Sequence, residues 1–277
     1  MSLQVESILF AIMQGVSELF PVSSLGHGVI VPELFHWQLD RNSPQFLPFM
    51  VVLHLGTAFA LLLYFRKDWI ELFADFFRGG GRPGHPAARP LWLVAVGTIP
   101  AGLLGLLLEK KIRLLFGNTT FVLAFLVING VILIAGDAFS RRRQTGRKLE
   151  SLSFGEAFIV GIAQSLALIP GLSRSGTTLI GGLSQGLDYA SAARFSFLLA
   201  TPVILAAGLH EVPLLWRDAG VLPLGLIFGC GVIAGVCAYI STWALMRYFN
   251  THEVKALRPF GWYCIVLGLV GLVIKLA

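Results

Sequence analysis

The sequence predicts an all-α integral membrane protein with six transmembrane helices plus two re-entrant helical hairpins, arranged as an inverted repeat. Composition is the first observation behind this prediction. Of the 277 residues, 56% are hydrophobic and 13% are charged, and the mean hydropathy is +0.78, whereas soluble domains carry about 25% charged residues. The second observation is a series of apolar runs near the ~20 residues that span a bilayer. The third is a pair of similar polar segments, one in each half of the chain.

The two similar segments lie 150 residues apart, as QGVSELFPVSSLG at 14–26 and QSLALIPGLSRSG at 164–176. At this constant offset three pairs of identical residues coincide: Gln14 with Gln164, Ser23 with Ser173, and Gly26 with Gly176. Both segments are polar and are broken by proline or glycine. Within a bilayer, irregular backbone occurs only where it is buried in protein or lines a wet cavity. Matching interruptions in two halves therefore point to a functional site at the repeat interface.

The predicted elements follow in order along the chain. Residues 5–35 form the first hairpin and residues 154–187 the second, each built around one of the two segments. The six remaining apolar runs are predicted to cross the membrane: 46–65, 91–108, 119–139, 195–210, 220–246 and 260–276. Together they form a single membrane domain over 1–277, with repeat halves of about 1–140 and 151–277.

The distribution of Lys and Arg among the loops predicts the orientation. If neither hairpin crosses, one side holds 14 of the 21 cations and the other holds 6, with Arg174 inside the second hairpin. If both cross, the count is 12 against 8. The larger asymmetry favours re-entrant hairpins. It places the loop 66–90 and the cluster Arg141-Arg142-Arg143 in the cytoplasm, and both termini outside.

Other classes of protein and site are disfavoured. The net charge of +6 does not indicate nucleic-acid binding, because the cations lie in short loops beside the spans. Residues 1–20 lack the basic start of a signal peptide. The three cysteines are odd in number and lie in apolar runs, so they are interpreted as packing residues. They are Cys230, Cys237 and Cys264. The six histidines include no His-x-x-x-His pair, so the sequence does not indicate a zinc site.

Two small-residue spacings in the run 220–246 bear on oligomeric state. Gly225-x-x-x-Gly229 and Gly231-x-x-x-Gly235 permit close helix contact. Packing within one subunit is the favoured interpretation, and a homodimer is the alternative.

The first segment combines an acid, a hydroxyl and an imidazole. Gln14 and Glu18 are four residues apart and share one helix face. Ser23 or Ser24 is suited to cap the next helix, and a cap is the alternative role for Ser24. His27 follows Ser24 by one turn, on the same side. Insertion of an ionised Glu18 costs about 2.5–3.5 kcal/mol, so the carboxylate should face a wet cavity, a partner or the membrane interface. We predict Glu18, Ser24 and His27 to be catalytic.

The second segment supplies a cation. Arg174 lies in a glycine-containing, hydroxyl-rich turn at a helix start, where backbone N–H groups and the guanidinium can bind an anion. The alternative is an arginine that reaches to the membrane surface. We add Arg174 to the catalytic group. The predicted substrate-binding residues are the polar and glycine residues of the two segments: Gln14, Ser23, Gly26, Ser173, Ser175, Gly176 and Thr178.

These motifs resemble those of the bacterial undecaprenyl-diphosphate phosphatases, also called bacitracin-resistance proteins. Gln14-x-x-x-Glu18 followed by Pro21–His27 is similar to one family motif, and Pro170–Thr178 is similar to Pro-Gly-x-Ser-Arg-Ser-Gly-x-Thr. The resemblance covers nearly the whole chain. Leu25 departs from it, since threonine is common there, and so does Gln14, where some members have glutamate.

The resemblance implies hydrolysis of a polyprenyl diphosphate lipid to its monophosphate in the bacterial inner membrane, at an outward-facing site. It also implies a divalent cation, Mg²⁺ or Ca²⁺, for which Glu18 and Gln14 are the oxygen ligands at hand. The nucleophile remains open between Ser24, His27 and water. A transporter or flippase of a phosphorylated lipid is the alternative function, because inverted repeats are common among secondary transporters.

Overall fold

The computed structural model describes residues 2–39, 43, 46–115, 117–140, 146–213, 222–252 and 255–276. Within these ranges the chain forms eleven α-helices and no β-strand. The helices are α1 (Leu3–Ser17), α2 (Ser24–Leu34), α3 (Phe46–Tyr64), α4 (Arg66–Arg78), α5 (Arg89–Leu115), α6 (Thr119–Ser140), α7 (Phe154–Ser165), α8 (Arg174–Ser184), α9 (Tyr189–Glu211), α10 (Leu224–Thr251) and α11 (Arg258–Leu276). The predicted cytoplasmic cluster at 141–143 lies outside the described residues.

Six of the described helices are long and apolar enough to cross a membrane, and they confirm the six predicted spans. Their apolar stretches are Phe46–Tyr64, Arg89–Leu108, Thr119–Phe139, Tyr189–His210, Leu224–Thr251 and Arg258–Lys275. Helix α9 starts at Tyr189, before the predicted residue 195. Its start is fixed by Asp188, whose side chain accepts a hydrogen bond from the N–H of Ser191 at 2.6 Å.

Each of the two motif segments folds as two short helices joined by a turn. Helices α1 and α2 have 15 and 11 residues, and α7 and α8 have 12 and 11. The predicted breaks are therefore present. The new helices begin with equivalent caps, because Ser23 Oγ accepts from the N–H of Gly26 at 3.1 Å and Ser173 Oγ accepts from the N–H of Gly176 at 3.2 Å.

Helix α4 was not predicted, since the region 66–90 was interpreted as a connecting loop. Residues Arg66–Arg78 are helical, with Ile70, Phe73 and Phe77 exposed on one side and Leu72 buried. Four aromatic residues make this segment amphipathic without making it apolar enough to span. Its charged residues interrupt the apolar pattern, so hydropathy alone does not predict this helix.

Glycine residues allow helices α3 and α10 to pack closely in the core. A Cβ placed on Gly56 of α3 would lie 1.9 Å from the carbonyl oxygen of Gly231 on α10, so only glycine permits this approach. Gly235 also meets Gly56. The second small-residue spacing therefore packs within the subunit, as favoured from the sequence. Gly225 and Gly229 have no described neighbour within 4 Å of such a Cβ.

An ionic cluster ties the start of α7 to the turn before α9. The Arg147 guanidinium donates to both carboxylate oxygens of Glu156, at 2.7 and 3.1 Å, and to the carbonyl of Gln185 at 2.9 Å. Glu156 also closes a capping box with Ser153. The hydrogen bonds from Arg147 lower the pKa of Glu156 to about 2.

Candidate active site

The turns of the two motif segments meet each other in the folded chain. Ser175 Oγ donates to the carbonyl oxygen of Phe20 at 3.1 Å, and Arg174 Nη2 donates to Glu18 Oε1 at 2.8 Å. Residues 156 positions apart in sequence thus share one site. The expectation that both segments contribute to a common site agrees with this geometry.

Glu18 lies at the centre of the site, immediately after α1, with only 6% of its surface exposed. Its Oε2 accepts hydrogen bonds from Ser24 Oγ at 2.5 Å and Gln14 Nε2 at 2.9 Å. His54 Nε2 is 3.1 Å from the same oxygen, and Arg174 binds the other. An ionised carboxylate is an acceptor only, so this ring of donors and positive charge stabilises the ionised form in a buried position.

Ser24 is the first residue of α2, and its side chain turns back toward the end of α1. The short hydrogen bond to Glu18 Oε2 commits the hydroxyl proton to the carboxylate. A serine hydroxyl becomes a competent nucleophile when a base within hydrogen-bond reach takes its proton. Glu18 is the carboxylate within hydrogen-bond reach of the Ser24 hydroxyl.

His54 was missed from the sequence, because it lies inside the apolar run of α3 and belongs to no motif. Its Nδ1 is 2.7 Å from the carbonyl oxygen of Met50, so Nδ1 carries the proton in that bond. Its Nε2 faces both Glu18 Oε2 and Gln14 Nε2, the latter at 3.1 Å. A polar side chain within a predicted span was the one available signal.

His27 has hydrogen-bond partners other than the Ser24 hydroxyl. Its Nδ1 is 2.7 Å from the carbonyl oxygen of Ser23, and its Nε2 is 2.7 Å from the hydroxyl of Tyr263 on α11, whose ring is stacked on the imidazole. The sequence predicts that the imidazole of His27 and the hydroxyl of Ser24 lie on the same side of α2, but the hydrogen bonds direct them to different groups. The reason is that Ser24 points back to Glu18 while His27, one turn later, points to α11.

The remaining predicted binding residues build the turns. Ser23 and Ser173 cap the two helices and also line the cavity beside Glu18. Ser175 links to Ser173 Oγ at 3.0 Å, and Thr178 Oγ1 donates to the carbonyl of Arg174 at 2.5 Å. Gly26 and Gly176 are the residues whose N–H groups receive the caps, and both are buried. The structure thus brings Ser23, Ser24, Ser173 and Arg174 to the cavity, whereas Gln14, Ser175, Thr178 and the two glycines do not line it.

A cavity of about 420 Å³ opens beside this cluster. Its polar end is formed by Glu18, Ser24, His54, Gln164 and Arg174. Its longer wall is apolar and comes from several helices, with Met50, Ala101, Gly102, Gly105, Leu168 and Val203 among the lining residues. This arrangement fits an amphipathic ligand with an anionic head and an apolar chain.

Unpaired polar atoms mark where a ligand would bind. Among the described residues, Arg174 Nη1, Gln164 Oε1 and Gln14 Oε1 are buried without a hydrogen-bond partner. The sequence identifies Gln164 as the repeat partner of Gln14 but does not predict it as a site residue. Buried polar atoms are normally paired, so the free N–H of Arg174 is available to a phosphate oxygen.

The donor set near Glu18 suits a hard cation in part. Gln14 Oε1 is buried without a partner, and the Nε2 of the same amide donates to Glu18 Oε2. Oxygen ligands are those that Mg²⁺ and Ca²⁺ prefer. No group of three or more His, Cys, Asp or Glu residues that could hold a metal occurs within the described part of the chain. A cation held here would need the phosphate oxygens of a ligand to complete its coordination.

Comparisons with known proteins agree over nearly the whole chain. The model of the family "Bacitracin resistance protein BacA" matches residues 7–270. Undecaprenyl-diphosphatase 2 of Chromobacterium violaceum is 58% identical over 98% of this chain and 99% of its own length. Undecaprenyl-diphosphatase of Acidiphilium cryptum is 49% identical, covering 97% of this chain and 96% of its own. These names are those of diphosphatases, so a transporter is not favoured.

Proposed function

The chain belongs to the bacitracin resistance protein BacA family, and we infer from this that it hydrolyses undecaprenyl diphosphate to undecaprenyl phosphate and inorganic phosphate. It is a multi-pass protein of the bacterial cytoplasmic membrane, and its reaction recycles the lipid carrier of cell-wall synthesis. One observation carries the assignment to a site. The cavity joins an Arg174–Glu18–Ser24 cluster to an apolar wall, as a diphosphate on a polyprenyl chain requires.

The contacts support Ser24 as the nucleophile. Its Oγ forms a bond to the terminal phosphorus while the bond from that phosphorus to the bridging oxygen breaks, and Glu18 Oε2 takes the hydroxyl proton. Undecaprenyl phosphate leaves with the electron pair of the bridging oxygen. Water then attacks the phosphorus of the phosphoserine, and the bond from that phosphorus to Ser24 Oγ breaks. Glu18 returns its proton to Ser24 Oγ, one proton of the attacking water passes to solvent, and inorganic phosphate leaves.

The other polar residues bind and orient. The free Nη1 of Arg174 neutralises charge on the non-bridging oxygens, while Nη2 keeps its bond to Glu18. His54 and Gln14 hold the Glu18 carboxylate towards Ser24. His27, engaged with Ser23 and Tyr263, supports the first turn in this arrangement.

A divalent cation is part of the proposal. Glu18 and Gln14 would hold it through the carboxylate and the unpaired amide oxygen. When bound, it would neutralise charge on the diphosphate oxygens.

The apolar wall is proposed to take the first isoprene units of the substrate. Ala206, Ala207 and His210 of α9 are exposed at the edge of this cavity, and so is Leu106 of α5. The chain would therefore reach the bilayer between α5 and α9. A cavity of this volume leaves most of a long polyprenyl chain in the lipid.

The re-entrant hairpins and the inverted repeat remain part of the proposal, together with an outward-facing site. Their support is the equivalence of the Ser23 and Ser173 caps and the way each hairpin packs on the other half. Gly15 of α1 meets the carbonyl of Ala234 on α10, and Gly161 of α7 meets that of Gly97 on α5. A homodimer would use the open side at Gly225 and Gly229, and chemical crosslinking in membranes tests it.

Phosphate release by the purified protein in detergent tests the function. A detergent micelle has no two compartments, so an enzyme releases phosphate there whereas a transporter does not. We expect release from undecaprenyl diphosphate, its loss with a chelator and its return on adding Mg²⁺ or Ca²⁺. Failure of the wild-type protein to release phosphate with either cation present would contradict the proposal.

A further inference from the structure

Asn129 is a polar residue in the middle of the apolar span of α6. Its side chain is fully buried, and an amide placed there without partners is costly. None of the catalytic steps above uses it. Its partners are the turns of the two motif segments.

The Asn129 amide joins one turn to the other. Nδ2 donates to the carbonyl oxygen of Pro21 at 3.2 Å, and Oδ1 accepts from the N–H of Ser173 at 2.9 Å. Nδ2 also lies 3.4 Å from Cys264 Sγ on α11. The orientation of the amide is fixed by these partners, because the reverse would pair two acceptors at Pro21 and two donors at Ser173.

Helix α6 supports both turns at this depth. Gly171 in the second turn has φ of +103°, and a Cβ on it would lie 2.5 Å from the carbonyl oxygen of Val122. Only glycine allows the turn to sit so close to α6. On the other side, a Cβ on Gly130 would be 2.4 Å from the carbonyl of Gly261 on α11. The position of Asn129 between the turns is therefore set by tight backbone contacts.

We propose that Asn129 is a positioning residue for the diphosphatase reaction, since it fixes the separation between the turn that carries Ser24 and the turn that carries Arg174. The proposal rests on the function inferred above. The bond between Arg174 and Glu18 also joins the turns, but both groups take part in the chemistry. Asn129 instead binds the Pro21 carbonyl, the Ser173 N–H and the Cys264 thiol, and none of these groups reacts in the proposed steps.

Two substitutions separate its two bonds. Asn129→Leu has similar size and removes both, whereas Asn129→Asp keeps an acceptor for the Ser173 N–H and loses the amide donor. We expect kcat for undecaprenyl diphosphate to fall about tenfold to a hundredfold in Asn129→Leu, because a ~1 Å misplacement can cost about 10²-fold. KM should stay within about twofold, since Arg174 and the apolar wall are still present. Asn129→Asp should lie between wild type and Asn129→Leu.

The control is Thr242→Val, which removes a buried hydroxyl that bonds only within α10, to the carbonyl of Ala238 at 2.8 Å. It should leave kcat unchanged. Thermal unfolding of each variant shows the folded fraction, to which kcat is normalised. An unchanged kcat in Asn129→Leu overturns the proposal, as does a loss explained by unfolding in both Asn129 variants. A wild-type protein without activity in the same assay would contradict the proposed function instead.

Discussion

Ser24 is the residue whose chemical role matters most for the mechanism. Its hydroxyl is bonded to Glu18, so the covalent intermediate should be a phosphoserine. Rapid quenching with labelled substrate should trap phosphate on the protein that is stable in acid and labile in base. Phosphate with the reverse stability would indicate histidine. Substantial turnover by Ser24→Ala would remove serine as the nucleophile.

Arg174 is the second test at this scale. Lysine keeps the charge but has no planar fork, so it cannot bind Glu18 with one nitrogen and a phosphate oxygen with another in fixed geometry. We expect kcat/KM of Arg174→Lys to fall about tenfold or more. Arg194→Lys is the matched control, because Arg194 pairs with Asp68 and Glu150 away from the cavity. Equal kcat/KM values for Arg174→Lys and Arg194→Lys would contradict the prediction.

The sequence could predict part of the candidate site and not the rest, for a physical reason. Glu18, Ser24 and Arg174 stand out because charges and hydroxyls interrupt apolar helices at the turns. His54 and Asn129 lie in spans that pass the same point in space, and spacing along one helix carries no information about another. The orientation of His27 depends on Tyr263, 236 residues away.

Some of the helices can likewise be predicted from the sequence and others cannot. The six spans follow from apolar length, and the breaks at the two turns follow from proline, glycine and serine caps. Helix α4 cannot be predicted in this way, because its charged residues interrupt the apolar pattern. The early start of α9 depends on one capping residue, Asp188.

The start of α7 gives a prediction for stability. Glu156→Gln removes the ionic bonds to Arg147 and weakens the capping box, so the melting temperature at pH 7 should fall by the equivalent of about 0.5–2 kcal/mol. The pKa of Glu156 is lowered to about 2, against about 4.3 in an unfolded chain. The contribution is therefore fully present above about pH 4.3 and is lost as pH falls towards 2.

The measurement is thermal unfolding of the detergent-solubilised protein as a function of pH. The gap in melting temperature between wild type and Glu156→Gln should be constant from pH 7 to 5 and narrow below pH 4. A gap that stays the same at pH 3 would show that charge on Glu156 is not its source.

For the whole molecule, the loop charges predict that residues 36–45 lie outside the cell and residues 140–153 inside. Single cysteines at Ser43 and Ser151, in a background without the three native cysteines, test this. An impermeant thiol reagent added to intact spheroplasts should label the first and not the second, and permeabilised membranes should label both. Labelling of both in intact spheroplasts would contradict the proposed topology.

The apolar end of the cavity allows a prediction about where the polyprenyl chain of the substrate binds. Gly105 of α5 lines the cavity, and a Cβ there would meet only Leu168, at 3.8 Å. Gly105→Leu therefore fills the apolar end without touching the polar one. Loss of room for about two methylene groups, at ~0.8 kcal/mol each, should lower kcat/KM for undecaprenyl diphosphate roughly tenfold. Inhibition by inorganic pyrophosphate, which has no chain, should be unchanged.

Gly155→Leu on α7 is the control, because its position is similarly open but lies away from the cavity. Both substitutions replace a helical glycine by a good helix former, so helix propensity affects them alike. A fall in kcat/KM for Gly105→Leu alone, with an unchanged inhibition constant for pyrophosphate, places the chain between α5 and α9. If pyrophosphate inhibition weakened to the same degree, the leucine would have disturbed the Arg174 end. Equal effects at both glycines would mean that the chain takes another path to the bilayer.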